Sequence, residues 1–366
     1  MGEKKPMLSV IMPVHNSERW LAQSINSILS QSYRQFELIC VDDASEDSSG
    51  DILRGYAKAD ERISYQSVPG LGAAGARNYG LSLASGKYVL FLDSDDIFSP
   101  IMFEQMVRCL EQTNADACIC ESTRFNQRTQ NVETHYVFPE SYKQGLYNHD
   151  DLGRELFQIG CQVPWNKMVK RELITTRGIL FPDIPNNEDA LFSASVMLYA
   201  RSIFILRKPL IKYRWGTGSS IQDHEGSKPD GALLAAETIN SKLQGEVSSD
   251  DEKESLFEYC LLLAITTLKV ASSAGKYTQK LHDRIASDLA LWNARVYKAS
   301  VRSKLRIYLP LCLLLDADYR TISWVYAKRI ERRETRSTLL EKIRLAGRLL
   351  VGITYSRLSR IKTGQS

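Results

Sequence analysis

The fold follows from one stretch of the chain, Lys87-Tyr88-Val89-Leu90-Phe91-Leu92-Asp93-Ser94-Asp95-Asp96. Residues 88–92 form an apolar run with the length of a buried strand. The run is followed at once by three carboxylates within four residues. In open sheets of parallel strands, ligands bind beyond the carboxyl ends of the strands. The stretch therefore predicts a buried strand whose end contributes to a ligand site, if its neighbours run parallel to it.

Strand patterns and helix patterns alternate on both sides of this stretch. Strands are predicted at residues 8–12, 36–41, 63–68, 87–92 and 115–120, and helices begin near Ser17, Asp47, Ala73 and Pro100. Repeated strand–helix units of this length predict an α/β fold, with a mostly parallel sheet and helices on both faces. Residues 121–150 are polar and irregular and predict a surface excursion. Residues 216–231 predict a loop or linker, and the chain beyond them is predicted to be helical, with breaks near Gly245, Gly275 and Pro310.

Three of the predicted strands end in polar clusters, namely Pro13-Val14-His15-Asn16, Asp42-Asp43-Ala44-Ser45 and Asp93-Ser94-Asp95-Asp96. Adjacent parallel strands would bring up to five carboxylates into one cleft, where each disfavours the ionised state of the others. A divalent cation relieves that repulsion, and carboxylate oxygens are hard ligands that suit Mn²⁺ or Mg²⁺. The clusters therefore predict a metal site completed by a diphosphate. The alternative is that these acids only cap loops and helices.

The composition is that of an ordinary globular protein, with 43% hydrophobic and 25% charged residues in 366. The seven cysteines are scattered and odd in number, which predicts free thiols in a reducing compartment. No signal peptide is expected at the N-terminus, and no apolar run approaches the roughly 18 residues of a membrane span. The net charge of +4 is uneven, since residues 301–366 carry 15 Lys and Arg against 5 Asp and Glu.

Taken together, the motifs resemble those of the family 2 glycosyltransferases, which have the GT-A fold. The order and spacing of the motifs match over roughly residues 7–221. The matching segments are Ser9 to Asn16, Ser27 to Tyr33, Val41 to Ser45, Gly75 to Gly80, Ala84 to Tyr88, Phe91 to Asp96, Pro164 to Lys167 and Asn187 to Asp189. The resemblance implies an inverting transfer of a sugar from a nucleotide-sugar to a hydroxyl group. It further implies a UDP-hexose or UDP-N-acetylhexosamine donor and a glycan or lipid-linked acceptor in surface polysaccharide synthesis.

The resemblance also implies a role for each matching residue. Those expected at the donor nucleotide are Pro13, Val14, Asp42, Asp43, Arg77, Asp93 and Ser94. Those expected at the metal are Asp95, Asp93 and Asp96. Asp189 would be the catalytic base with Glu188 as its neighbour, and Trp165 and Asn166 would lie on the acceptor side.

The chemistry of an inverting transfer agrees with these roles. A single displacement needs a base that takes the proton of the acceptor and charge stabilisation on the departing diphosphate. The base must lie opposite the diphosphate, so it should come from a distant segment of the chain. Asp189 lies nearly a hundred residues beyond Asp95 and meets that need. The alternative for Asp189 is an acidic residue that only stabilises a helix N-terminus.

Two other functions remain open from the sequence. The first is a scaffold that binds a nucleotide-sugar without turnover. The second is an NAD(P)-dependent oxidoreductase, because Gly70-Leu71-Gly72-Ala73-Ala74-Gly75 has the glycine spacing of a dinucleotide fingerprint. A single ribose-binding acid would leave the other carboxylates of the Asp93-Ser94-Asp95-Asp96 segment unexplained. His224 is a further candidate metal ligand, on a loop that could close over the donor.

The C-terminal part predicts a second domain. We expect a catalytic domain at residues 1–225 and a helical domain at residues 226–366 that ends in a basic amphipathic tail. In the tail, apolar residues such as Leu345 and Leu349 could share one face, with Arg344 and Arg348 around it. Such a helix suits an anionic membrane surface, which predicts a cytoplasmic enzyme, peripheral at the inner face of the cell membrane. The alternatives are a solvated helix or a contact between protein chains, and nucleic acid is not expected as a partner.

Overall fold

The structure is a computed structural model that describes residues 6–135, 138–216, 228 and 230–291. The described residues of Met1–Ser220 and Glu246–Ser255 form one compact unit. Those of Ile221–Gly245 and Leu256–Ser366 form a second. His224 and the basic amphipathic tail predicted beyond residue 301 lie outside the described residues.

The first unit alternates strands and helices along the chain. Its strands are β1 (Leu8–Val14), β2 (Phe36–Asp43), β3 (Ile63–Val68), β4 (Tyr88–Phe91), β5 (Ile97–Phe98), β6 (Ala117–Asn126), β7 (Val132–His135), β8 (Gly145–Tyr147), β9 (Lys167–Lys170) and β10 (Ile203–Trp215). Its helices are α1 (Glu18–Leu29), α2 (Ser49–Ala59), α3 (Gly72–Leu83), α4 (Met102–Thr113), α5 (His149–Leu152), α6 (Arg171–Arg177) and α7 (Glu188–Tyr199). Three further helices follow, namely α8 (Gly231–Leu243), α9 (Asp250–Ser273) and α10 (Gln279–Leu291).

One mixed sheet organises the first unit, in the order β3-β2-β1-β4-β9-β6-β10-β5, with β7 beside β6 and β8 beside β10. The strands β3, β2, β1 and β4 are mutually parallel, and β6 is parallel to β10. The short strand β9 is antiparallel to both β4 and β6. The predicted α/β fold with a mostly parallel sheet is thereby confirmed.

The helices form where apolar side chains recur at helical spacing and meet the sheet. In α1, the side chains of Leu21, Ile25 and Ile28 lie on one face and are fully buried. In α3, a Cβ atom at Gly80 would lie 2.5 Å from Cγ2 of Ile11, so the helix approaches β1 more closely than any larger residue would permit. Arg77 lies three residues before Gly80 in the same helix, and its side chain contacts Asp93 after β4.

The structure differs from the sequence-based prediction between residues 121 and 150. The fifth predicted strand does not end at Cys120, because β6 continues to Asn126 and pairs with both β7 and β10. The extension from Glu121 to Asn126 is mostly polar and mostly only partly buried. It therefore lacks the continuous apolar run that predicts the first half of the strand. Six cysteines in the described residues are free thiols, as predicted.

The helices that follow the first unit end where glycine breaks were predicted, since α8 stops before Gly245 and α9 before Gly275. Within the second unit, the thiol of Cys260 contacts the carbonyl oxygen of Ala236 at 3.6 Å and links α9 to α8. In the described part of the chain, one stretch, Asp250–Ser272, is long and apolar enough to cross a membrane. No stretch of this kind was predicted from the apolar runs of the sequence. Because 76% of its apolar window is buried inside the protein, it also fits a core helix.

Candidate active site

The candidate site lies at the carboxyl ends of β1, β2 and β4. Because β1 runs between β2 and β4, the predicted five-carboxylate cleft is divided into two groups. Asp42 and Asp43 end β2 on one side of β1, and the segment Asp93–Asp96 follows β4 on the other. In the second group, neighbouring carboxylates contribute to the raised pKa of Asp95 and of Asp96.

The first group is tied to the loop before α3. One oxygen of Asp43 accepts a hydrogen bond from the backbone N–H of Leu71, inside the glycine-rich segment. Asp42 accepts from the backbone N–H of Ser45 at 3.2 Å. Val14 pairs with Asp42 in the sheet, and Pro13 precedes it, so the backbone of both residues borders the same edge. The glycine-rich loop thus supports Asp43 from the third strand–helix unit of the fold.

The second group is the segment from Asp93 to Asp96, called here the acidic loop. Its Ser94 hydroxyl lies 2.8 Å from the hydroxyl of Ser17 at the start of α1. Burial and the nearby carboxylate of Asp93 raise the pKa of Asp95 to about 6. Burial, Asp95 and Asp93 raise the pKa of Asp96 well above its usual range. The protein alone thus disfavours the ionised forms of Asp95 and Asp96.

Arg77 connects the acidic loop with the start of α7. Its Nη2 donates to Oδ1 of Asp93 at 3.0 Å, and its Nη1 donates to Oε1 of Glu188 at 2.8 Å and to Oδ1 of Asp189 at 3.3 Å. The guanidinium is buried, and its Nε has no hydrogen-bond partner in the described residues. Arg77 was predicted near the nucleoside and phosphates. In this structure its guanidinium pairs with three carboxylates, and its role at the nucleotide stays a prediction.

Glu188 and Asp189 occupy the first turn of α7, where the helix dipole stabilises negative charge. The helix begins after Asn187, which has the left-handed φ of 60° that brings the chain sharply into the cleft. Burial raises the pKa of Asp189 to about 8, although the positive charge of Arg77 opposes the shift. A hydrogen bond with Glu188 and the charge of Asp93 add to the increase. Asp189 therefore has the proton affinity of a base that works near neutral pH.

The residues of the acidic loop fit a divalent cation, but not as the predicted set of three aspartates. Asp96 is fully buried, its Oδ1 accepts from a backbone N–H, and its Oδ2 has no partner in the described residues. Asp93 is directed to Arg77 instead. Over the described ranges, no group of three or more His, Cys, Asp or Glu side chains is placed to hold a metal. Proteins usually bind Mg²⁺ through one or two carboxylates, and substrate phosphates complete its coordination.

The two residues expected on the acceptor side are buried. Trp165 is 2% exposed and stacks on Tyr213, with ring centroids 5.6 Å apart. Asn166 is fully buried and donates to the carbonyl oxygen of Gly160 at 2.9 Å. Both side chains are thus enclosed by the protein in this structure, and their position on the acceptor side stays a prediction. The neighbouring buried ammonium of Lys167 donates to three backbone carbonyls, of Gly160, Cys161 and Val163, and fixes the loop before β9.

Arg214 in β10 also contacts the acidic loop, and it is not among the residues predicted for the site. Its Nε donates to the carbonyl oxygen of Asp95 at 2.7 Å, and its backbone N–H donates to Asp96 at 2.8 Å. A signal was available, because Tyr213-Arg214-Trp215 places a cation between two aromatic residues near the end of a strand pattern. The strand order that brings β10 beside β5 is not visible in that pattern.

Comparisons with known proteins identify similar sequences. Residues 9–178 match the family model described as Glycosyl transferase family 2. The chain is 28% identical over 336 residues to EpsH of Bacillus subtilis (strain 168), which is named as a glycosyltransferase, covering 87% of this chain and 94% of that protein. It is 32% identical over 218 residues to TuaG of the same organism, which is named as a teichuronic acid biosynthesis glycosyltransferase, covering 58% of this chain and 81% of that protein.

Solved structures share the fold. A crystal structure of Staphylococcus aureus TarS 1–349 in complex with UDP-GlcNAc aligns with a TM-score of 0.62 at 19% identity, over 89% of this chain and 91% of that one. The mannosyltransferase PcManGT of Pyrobaculum calidifontis, in complex with GDP-Man and Mn²⁺, aligns with a TM-score of 0.52 at 16% identity, over 89% of this chain and 85% of that one. These likenesses confirm the GT-A architecture.

Proposed function

This chain belongs to glycosyl transferase family 2 and is a glycosyltransferase, and from that premise we propose a specific reaction for it. It transfers one sugar from a UDP-hexose or UDP-N-acetylhexosamine to a hydroxyl group of a glycan or lipid-linked acceptor, with inversion at the anomeric carbon. The catalytic residues are Asp189, as the base, and Glu188 beside it. The acidic loop and the ends of β1 and β2 bind the donor.

The observation that carries the proposal is the triple pairing of Arg77. One buried guanidinium contacts Asp93 of the acidic loop together with Glu188 and Asp189 of α7. The loop suited to the diphosphate and the carboxylate suited to be a base therefore face each other within the span of one side chain. An inverting displacement requires this arrangement, because the attacking and departing oxygens lie on opposite sides of the anomeric carbon.

The raised pKa of Asp189 suits it to accept the proton that the reaction releases. When ionised, its carboxylate accepts the proton of the acceptor hydroxyl as that oxygen bonds to the anomeric carbon. The bond between that carbon and the phosphate oxygen breaks at the same time, and its electron pair leaves with the nucleoside diphosphate. Arg77 holds the carboxylate in place and favours its charged form once the acceptor has excluded water.

The leaving diphosphate needs positive charge. Asp95 and Asp96 would hold Mn²⁺ or Mg²⁺, with Asp93 nearby, and the cation would stabilise the charge on the departing oxygen as a Lewis acid. Ser94 and Asp93 lie beside this position and would contact the ribose and phosphates. The structure of PcManGT with Mn²⁺ supports the choice of a divalent cation for this fold.

The nucleotide is assigned from the ends of β1 and β2. One carboxylate oxygen of Asp43 accepts from the backbone N–H of Leu71, and the other would accept from the nucleobase. Pro13, Val14 and Asp42 border the same position. A carboxylate that accepts from an N–H on the edge of the base suits uracil. The TarS complex with UDP-GlcNAc supports a uridine donor in this fold.

The place of the enzyme is proposed from its relatives and its charge. TuaG is named for teichuronic acid biosynthesis, which supports an acceptor in surface polysaccharide synthesis. We assign residues 1–225 to the catalytic domain and residues 226–366 to a helical domain. The basic residues beyond 301 suit an anionic membrane at the cytoplasmic face, where lipid-linked acceptors are presented.

The test is calorimetric titration of UDP, GDP and dTDP into the full chain, first with Mn²⁺ and then with EDTA. Tight UDP binding that EDTA abolishes is the expected result. Preference for GDP or dTDP would overturn the uridine assignment, and binding unaffected by EDTA would overturn the cation. Release of UDP from UDP-sugars distinguishes an enzyme from a silent nucleotide-sugar scaffold, since a scaffold binds UDP without releasing it from the sugar.

A further inference from the structure

Arg214 is a buried cation beside the acidic loop, and its side chain contacts several neighbouring residues. It lies in β10 opposite Phe125 of β6 and is 3% exposed. Its Nη2 donates to the side-chain oxygen of Gln23 at 2.7 Å, and its Nη1 donates to that of Gln127. Its guanidinium carbon lies 4.1 Å from the centre of the Trp20 ring. Three of its five N–H groups and one of its faces are thus engaged by α1, by Gln127 directly after β6, or by the acidic loop.

The contacts of Arg214 with the acidic loop fall on the backbone and on one carboxylate oxygen. Nε donates to the carbonyl oxygen of Asp95, and the backbone N–H donates to Oδ1 of Asp96. These contacts leave Oδ2 of Asp96 without a partner among the described residues. The side chain therefore fixes the path of the loop and leaves a buried carboxylate oxygen available.

The two ends of the acidic loop are held by different arginines. Arg77 pairs with the carboxylate of Asp93 at the start of the loop. At its end, β5 pairs with β10, with Ile97 opposite Lys212, and Arg214 lies two residues further along β10. If the Arg214 side chain were replaced, β5 would keep its pairing and Asp96 would keep its backbone N–H donor, but the carbonyl oxygen of Asp95 would lose the donor that fixes the loop to β10.

We propose that Arg214 is a positioning residue that holds Asp95 and Asp96 in the conformation that binds the cation and the donor diphosphate. This inference rests on the proposed function of the acidic loop. Arg214 acts through the loop and contacts neither the cation nor the nucleotide. A planar guanidinium is required because only it can donate in several fixed directions while stacking on Trp20, and a lysine ammonium keeps the charge without that geometry.

The variants separate position from charge. Arg214→Lys retains the positive charge and loses the planar fork, whereas Arg214→Gln loses both. If geometry matters, Mn²⁺-dependent UDP affinity falls by about 10-fold to 100-fold in both variants, the effect of losing a hydrogen bond to a charged group. Arg207→Lys on the same strand is the matched control, because Arg207 also donates to two backbone carbonyls, of Pro139 and Tyr142, away from the loop.

Two measurements on the full chain test the proposal. The first is amide hydrogen exchange of the peptide that spans residues 93–98, without any ligand, and we expect faster exchange in Arg214→Lys than in Arg207→Lys. The second is calorimetry of UDP at increasing Mn²⁺, where high Mn²⁺ should restore the affinity lost in Arg214→Lys. If Arg214 touched the diphosphate directly, added Mn²⁺ would not restore it.

A third variant, Gln23→Ala, tests the proposal even if Arg214→Lys does not fold. Gln23 is exposed on α1 and supports only one amino group of Arg214, so Gln23→Ala should lower Mn²⁺-dependent UDP affinity by a few-fold. Unchanged exchange of residues 93–98 in every folded variant would overturn the positioning role. Wild-type protein that binds neither Mn²⁺ nor UDP, but shows the exchange difference, would overturn the proposed function and keep Arg214 as the residue that fixes the loop.

Discussion

Arg77 and Asp189 form an ion pair, with 3.3 Å between Nη1 and Oδ1, although 112 residues separate them in the chain. The same guanidinium holds Asp93, so the pair couples the strand end that begins the acidic loop to the helix that carries the proposed base. A shared buried cation makes the charge state of each carboxylate depend on the others. Each of these carboxylates can therefore be either ionised or protonated in the unliganded site.

The first prediction concerns the pH dependence of transfer. Because the pKa of Asp189 is raised to about 8, the base is protonated in much of the free enzyme at neutral pH. We expect kcat/KM to rise with pH up to about 8 and then to level off, since this parameter reports the free enzyme. Asp189→Asn should lower the rate by ~10² or more and remove this limb. UDP release from UDP-sugars, with water as acceptor where no other is known, measures both effects.

Asp183→Asn is the control for that experiment, because Asp183 is exposed and lies shortly before the same helix. It should retain the wild-type rate and pH profile. UDP affinity should be unchanged in both variants. A normal rate in Asp189→Asn would refute the assignment of the base.

The second prediction concerns stability against pH. The pKa values of Asp95 and Asp189 are raised from 3.8 to about 6 and about 8 in the folded protein. A group with a raised folded-state pKa contributes stability that is present below its unfolded pKa and is lost as pH rises through the folded value. The free energy of unfolding contributed by these groups should therefore fall between about pH 4 and pH 8.

Denaturant unfolding at several pH values measures this loss. Asp189→Asn stays neutral throughout, so its free energy of unfolding should decline less steeply than that of the wild type over the same range. Mn²⁺ together with UDP should offset the decline in the wild type, because binding favours the ionised loop. Parallel curves for the variant and the wild type would contradict the raised pKa of Asp189.

The third prediction concerns the buried charge of Arg77. Arg77→Met leaves Glu188 and Asp93 without their cation inside the protein, and losing one partner of a buried ion pair costs about 3–5 kcal/mol. The comparison is Arg54→Met, since Arg54 is 50% exposed and its pair with Asp51 is at the surface. That change should cost far less, because solvent screens an exposed ion pair. Equal losses in denaturant unfolding would show that the Arg77 cluster does not stabilise the fold.

The fourth prediction uses two helical glycines. An added Cβ at Gly80 in α3 would lie 2.5 Å from Ile11 and 3.3 Å from Val41, so Gly80→Ala should destabilise by about 1–3 kcal/mol through overpacking. Gly55 in α2 has nothing within 4 Å of the same position. Gly55→Ala should therefore stabilise by about 0.5–1 kcal/mol, the difference in helix propensity. Thermal unfolding measures both variants, and a change of stability in the same direction in the two would contradict the prediction.

The elements around the site were predictable because their signals are local. An apolar run of five residues that ends in Asp93-Ser94-Asp95-Asp96 requires only strand burial and the solvation of charge, and β4 and its loop lie where the run predicts them. The first turn of α7 was also visible, since Glu188 and Asp189 precede an apolar stretch. Their roles in catalysis stay predictions, drawn from family resemblance.

The mostly parallel α/β fold and the polar ends of its strands can be predicted from the order of the residues. Three contacts could not be predicted in this way: Arg77 among three carboxylates, Arg214 on the acidic loop, and Trp165 against Tyr213. The difference arises because periodicity encodes whether each residue is buried, which is a local property. Which buried charges meet depends on the order of the strands, and that order is set by packing between segments far apart in the chain.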